Sequence, residues 1–197
     1  MVVTLKFSRK IPQGDHSMKI SCVVMTVVIL LSLYVWATPN LDGTWSKACQ
    51  DVDGDYVSSS LKISKAQWNV THWGYEDENC AAKYLQFDLS YSAVMTEQNL
   101  DLKLADAAYT PMTDEVAEAL NEGEFCGFTN WKKNKKTSII GKECSDVDNY
   151  EKNQMVYSIY KNQTNQLWLG EASASHEGIT PDSRHTSLEA IAYKKGN

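Results

Sequence analysis

Closely spaced acidic side chains occur in two similar stretches of this chain, KACQDVDGDY at 47–56 and KECSDVDNY at 142–150. In the first stretch, Asp51, Asp53 and Asp55 offer carboxylate oxygens at alternate positions, as calcium-binding loops do. These three aspartates are therefore a candidate calcium site.

The spacing of the acids departs from that of an EF-hand. Gly54 stands at the fourth loop position instead of the sixth, and Lys62 occupies the twelfth, where a glutamate completes a calcium shell. The second copy keeps Asp146 and Asp148 but has Tyr150 at the third acidic position. We therefore interpret both copies as strand ends whose turns are held by side-chain oxygens bonded to their own backbone, with calcium as the alternative.

Four of the five cysteines, Cys49, Cys80, Cys126 and Cys144, lie outside the N-terminal leader. An even number of cysteines in an exported chain predicts two disulfides, and four cysteines allow three pairings. We expect Cys49 to pair with Cys80 and Cys126 with Cys144, because each bond would then crosslink a neighbouring segment.

No residue is assigned a catalytic role from the sequence. Nucleophilic hydrolysis needs a nucleophile within reach of a base, but Ser175, His176 and Glu177 are consecutive, so their side chains diverge. Zinc is not expected either, since no Cys-x-x-Cys occurs and His72, His176 and His185 lack ligand spacing. The sequence thus favours a protein that is not an enzyme and holds no cofactor.

The first 37 residues have the composition of an export signal. The apolar run ISCVVMTVVILLSLYVWA at 20–37 follows four basic residues, Lys6, Arg9, Lys10 and Lys19. A basic segment, an apolar run and a terminal small residue, here Ala37, are typical of a secretory signal peptide. We expect cleavage after Ala37. The alternative is an uncleaved anchor, because a membrane-spanning helix needs about 20 apolar residues.

Either interpretation places the chain from residue 38 onward outside the cytoplasm, because positive charge holds the N-terminal end inside. We expect one exported domain over 38–197, secreted or periplasmic, monomeric, and bound to a membrane only if the leader remains. The chain has 19 basic and 25 acidic residues. Four of the basic residues and one of the acidic residues lie in the leader, so the exported part has 15 basic and 24 acidic residues. Such an acidic surface repels phosphate backbones, so nucleic-acid binding is not expected.

Short segments with strand-like alternation must position these residues. In YLQFDLSY, for example, Leu85, Phe87 and Leu89 point to one side, and Gln86 and Asp88 point to the other. Ten segments show strand signals: 43–49, 59–64, 67–73, 84–91, 100–104, 124–131, 137–141, 154–160, 165–170 and 187–193. The predicted fold class is an all-β antiparallel barrel of about eight to ten strands, and a disulfide-crosslinked β-sandwich is the alternative.

One stretch, PMTDEVAEALNEG at 111–123, predicts a short helix instead. Thr113 is a candidate N-cap, acidic residues fill the first turn, and Gly123 ends the apolar periodicity. The helix interrupts the strands near their middle, where it could cover one end of a barrel.

The first predicted strand opens with Gly43, Thr44 and Trp45, which resemble the Gly-x-Trp motif that opens lipocalins and related calycin barrels. In that family the tryptophan closes the base of the barrel and packs against an arginine from the end of the last strand. Arg184 is the only arginine of the exported chain and lies just before the last predicted strand. The resemblance therefore implies a lipocalin-like barrel with structural roles for Gly43, Trp45 and Arg184.

The resemblance also implies a small hydrophobic or amphiphilic ligand, since an eight-stranded barrel has room for one. The candidate ligand-binding walls are aromatic: Trp68, Trp73, Tyr84, Phe87, Tyr91, Trp131, Tyr157 and Trp168. The alternative function is a non-catalytic surface protein that binds a protein or glycan partner through its loops. In that case the aromatic side chains would be exposed.

Overall fold

The computed structural model describes residues 39–52, 54–144 and 149–196. The strands within these ranges are β1 (Gly43–Val52), β2 (Asp55–Ser64), β3 (Gln67–Tyr75), β4 (Lys83–Thr96), β5 (Asn99–Pro111), β6 (Thr137–Ser138), β7 (Met155–Gln163), β8 (Gln166–Glu171), β9 (Ser187–Leu188) and β10 (Tyr193–Lys195). One helix, α1 (Asp114–Glu122), and two 3-10 turns, Phe125–Gly127 and Pro181–Ser183, complete the regular structure of this part.

Eight of the described strands form one closed antiparallel barrel. Strands β1 to β5 follow one another in order, and β7, β8 and β10 complete the ring. The ring closes through β10, where Tyr193 faces Leu167 of β8 and Lys195 faces Trp45 of β1. The predicted all-β barrel is confirmed. The sandwich alternative is wrong, because the strands close on themselves instead of forming two facing sheets.

Alternation along the strands decides which side chains fill the barrel. On β3, Trp68 and Val70 are buried, whereas Gln67 and Asn69 beside them are exposed. Since successive side chains of a strand point to opposite faces, the buried residues line the interior and the others face solvent.

The predicted strand at 124–131 is wrong. Glu124 and Cys126 have φ angles of +46° and +53°, which an extended strand does not adopt, and Phe125–Gly127 forms a 3-10 turn. The apolar residues that suggested a strand, such as Trp131, are buried from irregular backbone instead. The hydrophobicity of these apolar residues therefore indicated their burial but did not indicate their backbone conformation.

Two more predicted strands differ from the structure. The segment predicted at 137–141 is reduced to β6, which pairs with Tyr109 and Ala108 of β5. The last predicted strand, 187–193, is divided: β9 pairs with β8, whereas β10 pairs with both β8 and β1. Because the segment is divided, the short strand β10 pairs with both β8 and β1 and closes the barrel.

Helix α1 is confirmed, with narrower bounds than the predicted 111–123. The Thr113 side chain accepts a hydrogen bond from the Val116 backbone nitrogen at 3.2 Å, and Gly123 is the C-cap. A threonine at this position satisfies a backbone donor that the first helical turn leaves without a partner.

Two groups of apolar residues form the core of the described part. The base cluster fills one end of the barrel: Leu41, Trp45, Leu61, Ile63, Trp68, Val70, Tyr91, Ala93, Leu100, Leu104, Tyr160, Leu167 and Tyr193. The second cluster joins inward residues of β4 and β5 to residues 113–144, a segment that we call the cover. Phe125 of the cover lies 5.5 Å from Tyr109 of β5 between ring centres. The cover therefore lies over the β4–β5 side of the end opposite the base.

Both expected disulfides are present. Cys49 of β1 is bonded to Cys80 in the β3–β4 loop, and Cys126 is bonded to Cys144 within the cover. Each closes a short stretch of chain, 31 and 18 residues apart in sequence. Such bonds stabilise a fold chiefly by restricting the unfolded chain.

The predicted signal peptide, residues 1–37, lies outside the described residues. Within the part that the structure describes, no helix has the length and apolar character needed to cross a membrane.

Candidate functional site

Three of the eight predicted wall aromatics face the barrel interior. Trp68 and Tyr91 face each other across β3 and β4 and belong to the base cluster. Phe87 lies further toward the cover, where its ring centre is 4.5 Å from that of Tyr109. These contacts show an interior occupied largely by the protein's own aromatic rings at the base.

Three others face outward by the alternation of their strands. Trp73 is paired with Gln86, Tyr157 with Asp101, and Trp168 with Lys161. A cation lies over each ring: Lys83 at 4.4 Å from Trp73, Arg184 at 5.4 Å from Tyr157 and Lys161 at 5.5 Å from Trp168. The outer surface of the barrel thus carries aromatic–cation pairs.

The remaining two predicted wall residues occupy special positions. Trp131 is buried in the cover, and its Nε1 donates to the Phe125 carbonyl oxygen at 3.2 Å. Tyr84 lies over Gly74, where a Cβ atom would come within 2.8 Å of the tyrosine ring. The structure therefore does not gather all eight aromatics into one cavity, and their contact with a ligand stays a prediction.

Above the base cluster the interior becomes polar. We define the inner polar group as Lys47, Ser59, His72, Glu189 and the hydroxyl of Tyr193, whose ring also belongs to the base cluster. Ser59 pairs with Lys47 on β1 and with His72 on β3, so the three share one inward row. The Ser59 hydroxyl lies 2.8 Å from His72 Nδ1.

An ion pair completes the inner polar group. The Lys47 ammonium donates to the Glu189 carboxylate and lies 4.5 Å from the centre of the Tyr193 ring. Lys47 is only 8% exposed. A lysine this buried needs such a partner, because removing an unpaired charge from water is costly.

The surroundings of His72 keep its ring neutral. Burial, and next the nearby Lys47 ammonium, lower the pKa of His72 from 6.5 to about 4. Burial likewise raises the pKa of Tyr91 to about 12 and raises the pKa of Tyr193. At neutral pH the interior therefore holds hydroxyls, a neutral imidazole and one internal ion pair.

Sequence reasoning missed the inner polar group, although a signal was present. Lys47 stands two residues after Trp45, His72 two after Val70, and Ser59 two before Leu61. Each polar residue is thus two positions from a buried apolar residue of the same strand, so the two side chains point to the same, inward face. Glu189 carried no such signal, because it lies in the irregular stretch between β9 and β10.

A pocket opens from solvent onto this polar interior at the end opposite the base. This mouth pocket has a volume of about 460 Å³ and is lined by Lys47, Gln50, Asp51, Val52, Glu171, Glu189, Ala190 and Ile191. Val52 and Ile191 are 43% and 51% exposed, respectively. The pocket therefore combines an apolar rim with a charged floor.

Gln50 reaches the mouth pocket because β1 is irregular. The pairing of β1 with β2 shifts register between Lys47 and Gln50, and such bulges redirect side chains at barrel rims. The Gln50 Oε1 atom is buried and has no hydrogen-bond partner among the described residues. An acceptor of this kind can receive a donor from a ligand.

Two other pockets lie at the base end. One has a volume of about 360 Å³ and includes Leu41, Ile63 and Met95, and the other has about 310 Å³ and includes Ile159 and Leu188. Pro39, the first described residue, lines both. Neither is lined by a member of the inner polar group.

Trp45 is buried at the base of the barrel, at 1% exposure. Trp45 Nε1 donates to the Leu41 carbonyl oxygen at 2.8 Å, and Lys195 of the last strand lies 5.1 Å from the Trp45 ring centre. Lys195 thus takes the place that the resemblance gave to Arg184. The Arg184 Nη1 instead lies 2.7 Å from Asp101 Oδ1 and donates to the Ser158 carbonyl oxygen.

Asp51 holds a turn in the manner expected of a strand end. Its Oδ1 accepts a hydrogen bond from the Gly54 backbone nitrogen at 2.8 Å. No group of three or more His, Cys, Asp and Glu side chains suited to a metal occurs in the described ranges. Asp53 and residues 145–148 lie outside those ranges, so calcium at Asp51, Asp53 and Asp55 stays a prediction.

Compared with known protein families and with curated proteins, the chain matches none. The geometry of the barrel and its mouth pocket is therefore what indicates a function.

Proposed function

We propose that this protein is exported and binds a small amphiphilic molecule in the mouth pocket of its barrel. One observation carries the proposal: a pocket of about 460 Å³ joins exposed Val52 and Ile191 to the inner polar group. Pockets that hold small ligands are typically about 300–1,000 Å³ and combine apolar walls with a few placed polar groups.

The rest of the barrel favours the mouth over the base as the binding end. Leu61, Leu100 and Leu167 are fully buried at the base, and Trp45 is buried there as well. An eight-stranded barrel has room for its own side chains or for one small ligand. Side chains fill the base, which leaves the mouth for the ligand.

The eight-stranded barrel, with Trp45 buried at its base, is compatible with a lipocalin-like protein. We therefore propose that the protein is lipocalin-like as well as a binding protein. The two disulfides support export, because such bonds persist in oxidising compartments. A mass corresponding to cleavage after Ala37, less four hydrogens, would support a secreted or periplasmic protein. An intact leader would support the anchored alternative.

The binding function is tested by native mass spectrometry of the protein purified without detergent or chelator. We expect a non-covalent adduct of a few hundred daltons. Val52→Asn should remove the adduct, because it replaces apolar surface of the rim by an uncharged polar group. Val94→Asn is the matched control, since Val94 is also an exposed valine, at 64%, but lies on β4 outside the pocket. Loss of the adduct in both variants, or in neither, contradicts the proposed site.

A surface-binding function is the second candidate, and the outward aromatic–cation pairs favour it. Trp73 and Trp168 are partly exposed on the outside of the barrel. If a protein or glycan partner uses them, Trp73→Ala and Trp168→Ala would abolish partner binding while leaving the small-molecule adduct intact. The reverse result supports the mouth pocket.

A further inference from the structure

We infer that the ligand of the mouth pocket is a small organic cation with an apolar body, such as a protonated alkyl amine. This inference rests on the proposed function and adds the charge of the ligand to it. It follows from the pocket carboxylates of Asp51 and Glu171, which form no ion pair among the described residues.

Lys47, the basic residue that lines the pocket, is already paired and therefore cannot readily bind an anionic ligand. The Lys47 ammonium is engaged by Glu189 and lies against the Tyr193 ring, and Lys47 is 8% exposed. An anionic ligand would have to displace Glu189 from this ion pair. The displaced carboxylate would then face the ligand's own negative charge.

Hydrogen-bond acceptors dominate the rest of the lining. Asp51 and Glu171 bring two further carboxylates, and Asp51 uses one oxygen on the Gly54 backbone nitrogen. The buried Gln50 Oε1 has no partner among the described residues. A buried acceptor without a donor costs about as much as a lost hydrogen bond, so this atom favours a ligand that donates.

An ammonium group meets these requirements. It carries three donors and no acceptor. Its positive charge would be attracted by the Asp51 and Glu171 carboxylates, which the Lys47–Glu189 ion pair does not neutralise. Val52, Ala190 and Ile191 supply apolar surface for its carbon chain. The acidic exported domain, with 24 acids against 15 bases once the leader is set aside, also concentrates cations near its surface.

Three probes with the same alkyl chain test the inference: octylamine, octanoate and octanol. Each is titrated into the protein, expressed as the full chain with its leader, by isothermal calorimetry at pH 7 and low ionic strength. We expect octylamine to bind at least about tenfold more tightly than octanoate or octanol, since a charge-assisted hydrogen bond contributes about that factor.

Two matched variants locate the effect. Glu171→Gln keeps the shape of a pocket side chain and removes its charge, so it should weaken octylamine binding about threefold, as expected for one exposed charge pair. Glu118→Gln makes the same change on an exposed position of α1, away from the pocket, and should leave the affinity unchanged.

The outcomes separate the two proposals. If octanoate or octanol binds as tightly as octylamine and Val52→Asn abolishes that binding, the cation inference fails but the small-ligand function stands. Equal affinities of octylamine for Glu171→Gln and the unchanged protein also overturn the inference. No binding by any probe, with no native adduct, overturns both.

Discussion

The base and the mouth of this barrel are built from the same strands, yet they differ in kind. At the base, Trp45, Leu61 and Val70 are 1%, 0% and 9% exposed, respectively. Two residues along the same strands toward the mouth, the inward positions hold Lys47, Ser59 and His72. One step of the pleat thus separates an apolar core from a polar interior.

The apolar base and the polar mouth contribute differently to the stability of the barrel. Side chains of the base cluster contact one another across the whole ring and need no ligand. The mouth instead holds an internal ion pair, a neutral histidine and an acceptor without a partner among the described residues. Polar interiors of this kind cost stability unless each group is satisfied, so the apolar base must hold the fold.

The largest effect is expected from removing a ring at the base. Trp68→Ala should lower the free energy of unfolding by about 3–5 kcal/mol, because it leaves a cavity among fully buried neighbours. Urea denaturation followed by circular dichroism measures the change. Val94→Ala, on an exposed position of β4, should change it by less than about 0.5 kcal/mol. A loss below about 1 kcal/mol for Trp68→Ala would show that the base is not the stabilising end.

A smaller and more local effect is expected from the cover. Replacing Cys126 and Cys144 together by alanine should cost about 3 kcal/mol, the entropy of an 18-residue loop. Hydrogen exchange should then quicken in residues 113–144 and leave the β2–β3 pairs of the base protected. Equal acceleration in both regions would mean that cover and base unfold as one unit.

The smallest effect is expected from pH. Because the folded state lowers the pKa of His72 from 6.5 to about 4, the stability tied to its neutral ring is fully present above pH 6.5 and is lost as pH falls toward 4. The loss should be on the order of 2–3 kcal/mol at pH 4. Denaturation midpoints measured from pH 7 to pH 4 give the slope.

Two histidine variants test whether His72 causes this pH dependence of stability. His72→Asn should flatten the pH dependence, since it removes the buried imidazole. His176→Asn changes a histidine in the loop after β8 and should leave the dependence as it was. If His176→Asn flattens the profile instead, the polar interior is not what senses pH.

Much of the fold could be predicted because its signals are local. Alternating residues predicted the long strands, Thr113 and Gly123 predicted α1, and the cysteine count predicted two disulfides. The failure at 124–131 has a physical reason. Apolar residues such as Phe125 and Trp131 enter the second cluster from a backbone with positive φ angles, so their hydrophobicity did not report a strand.

The candidate site was harder to predict than the fold. Of the predicted aromatic walls, only Trp68, Phe87 and Tyr91 face the interior by strand alternation. The mouth pocket depends on Gln50, redirected by the register shift in β1, and on Glu189, which comes from an irregular stretch. Neither feature follows from residue type or spacing.

A disulfide-bonded, all-β chain is predictable from the sequence alone, because strand alternation, helix capping and cysteine parity act over short stretches. The contact between Lys47 and Glu189, 142 residues away, and the contact between Lys195 and the Trp45 ring depend instead on the tertiary structure. Both contacts arise only when β10 closes the ring between β8 and β1. Closure of the barrel, which no local pattern encodes, is therefore what creates the mouth pocket.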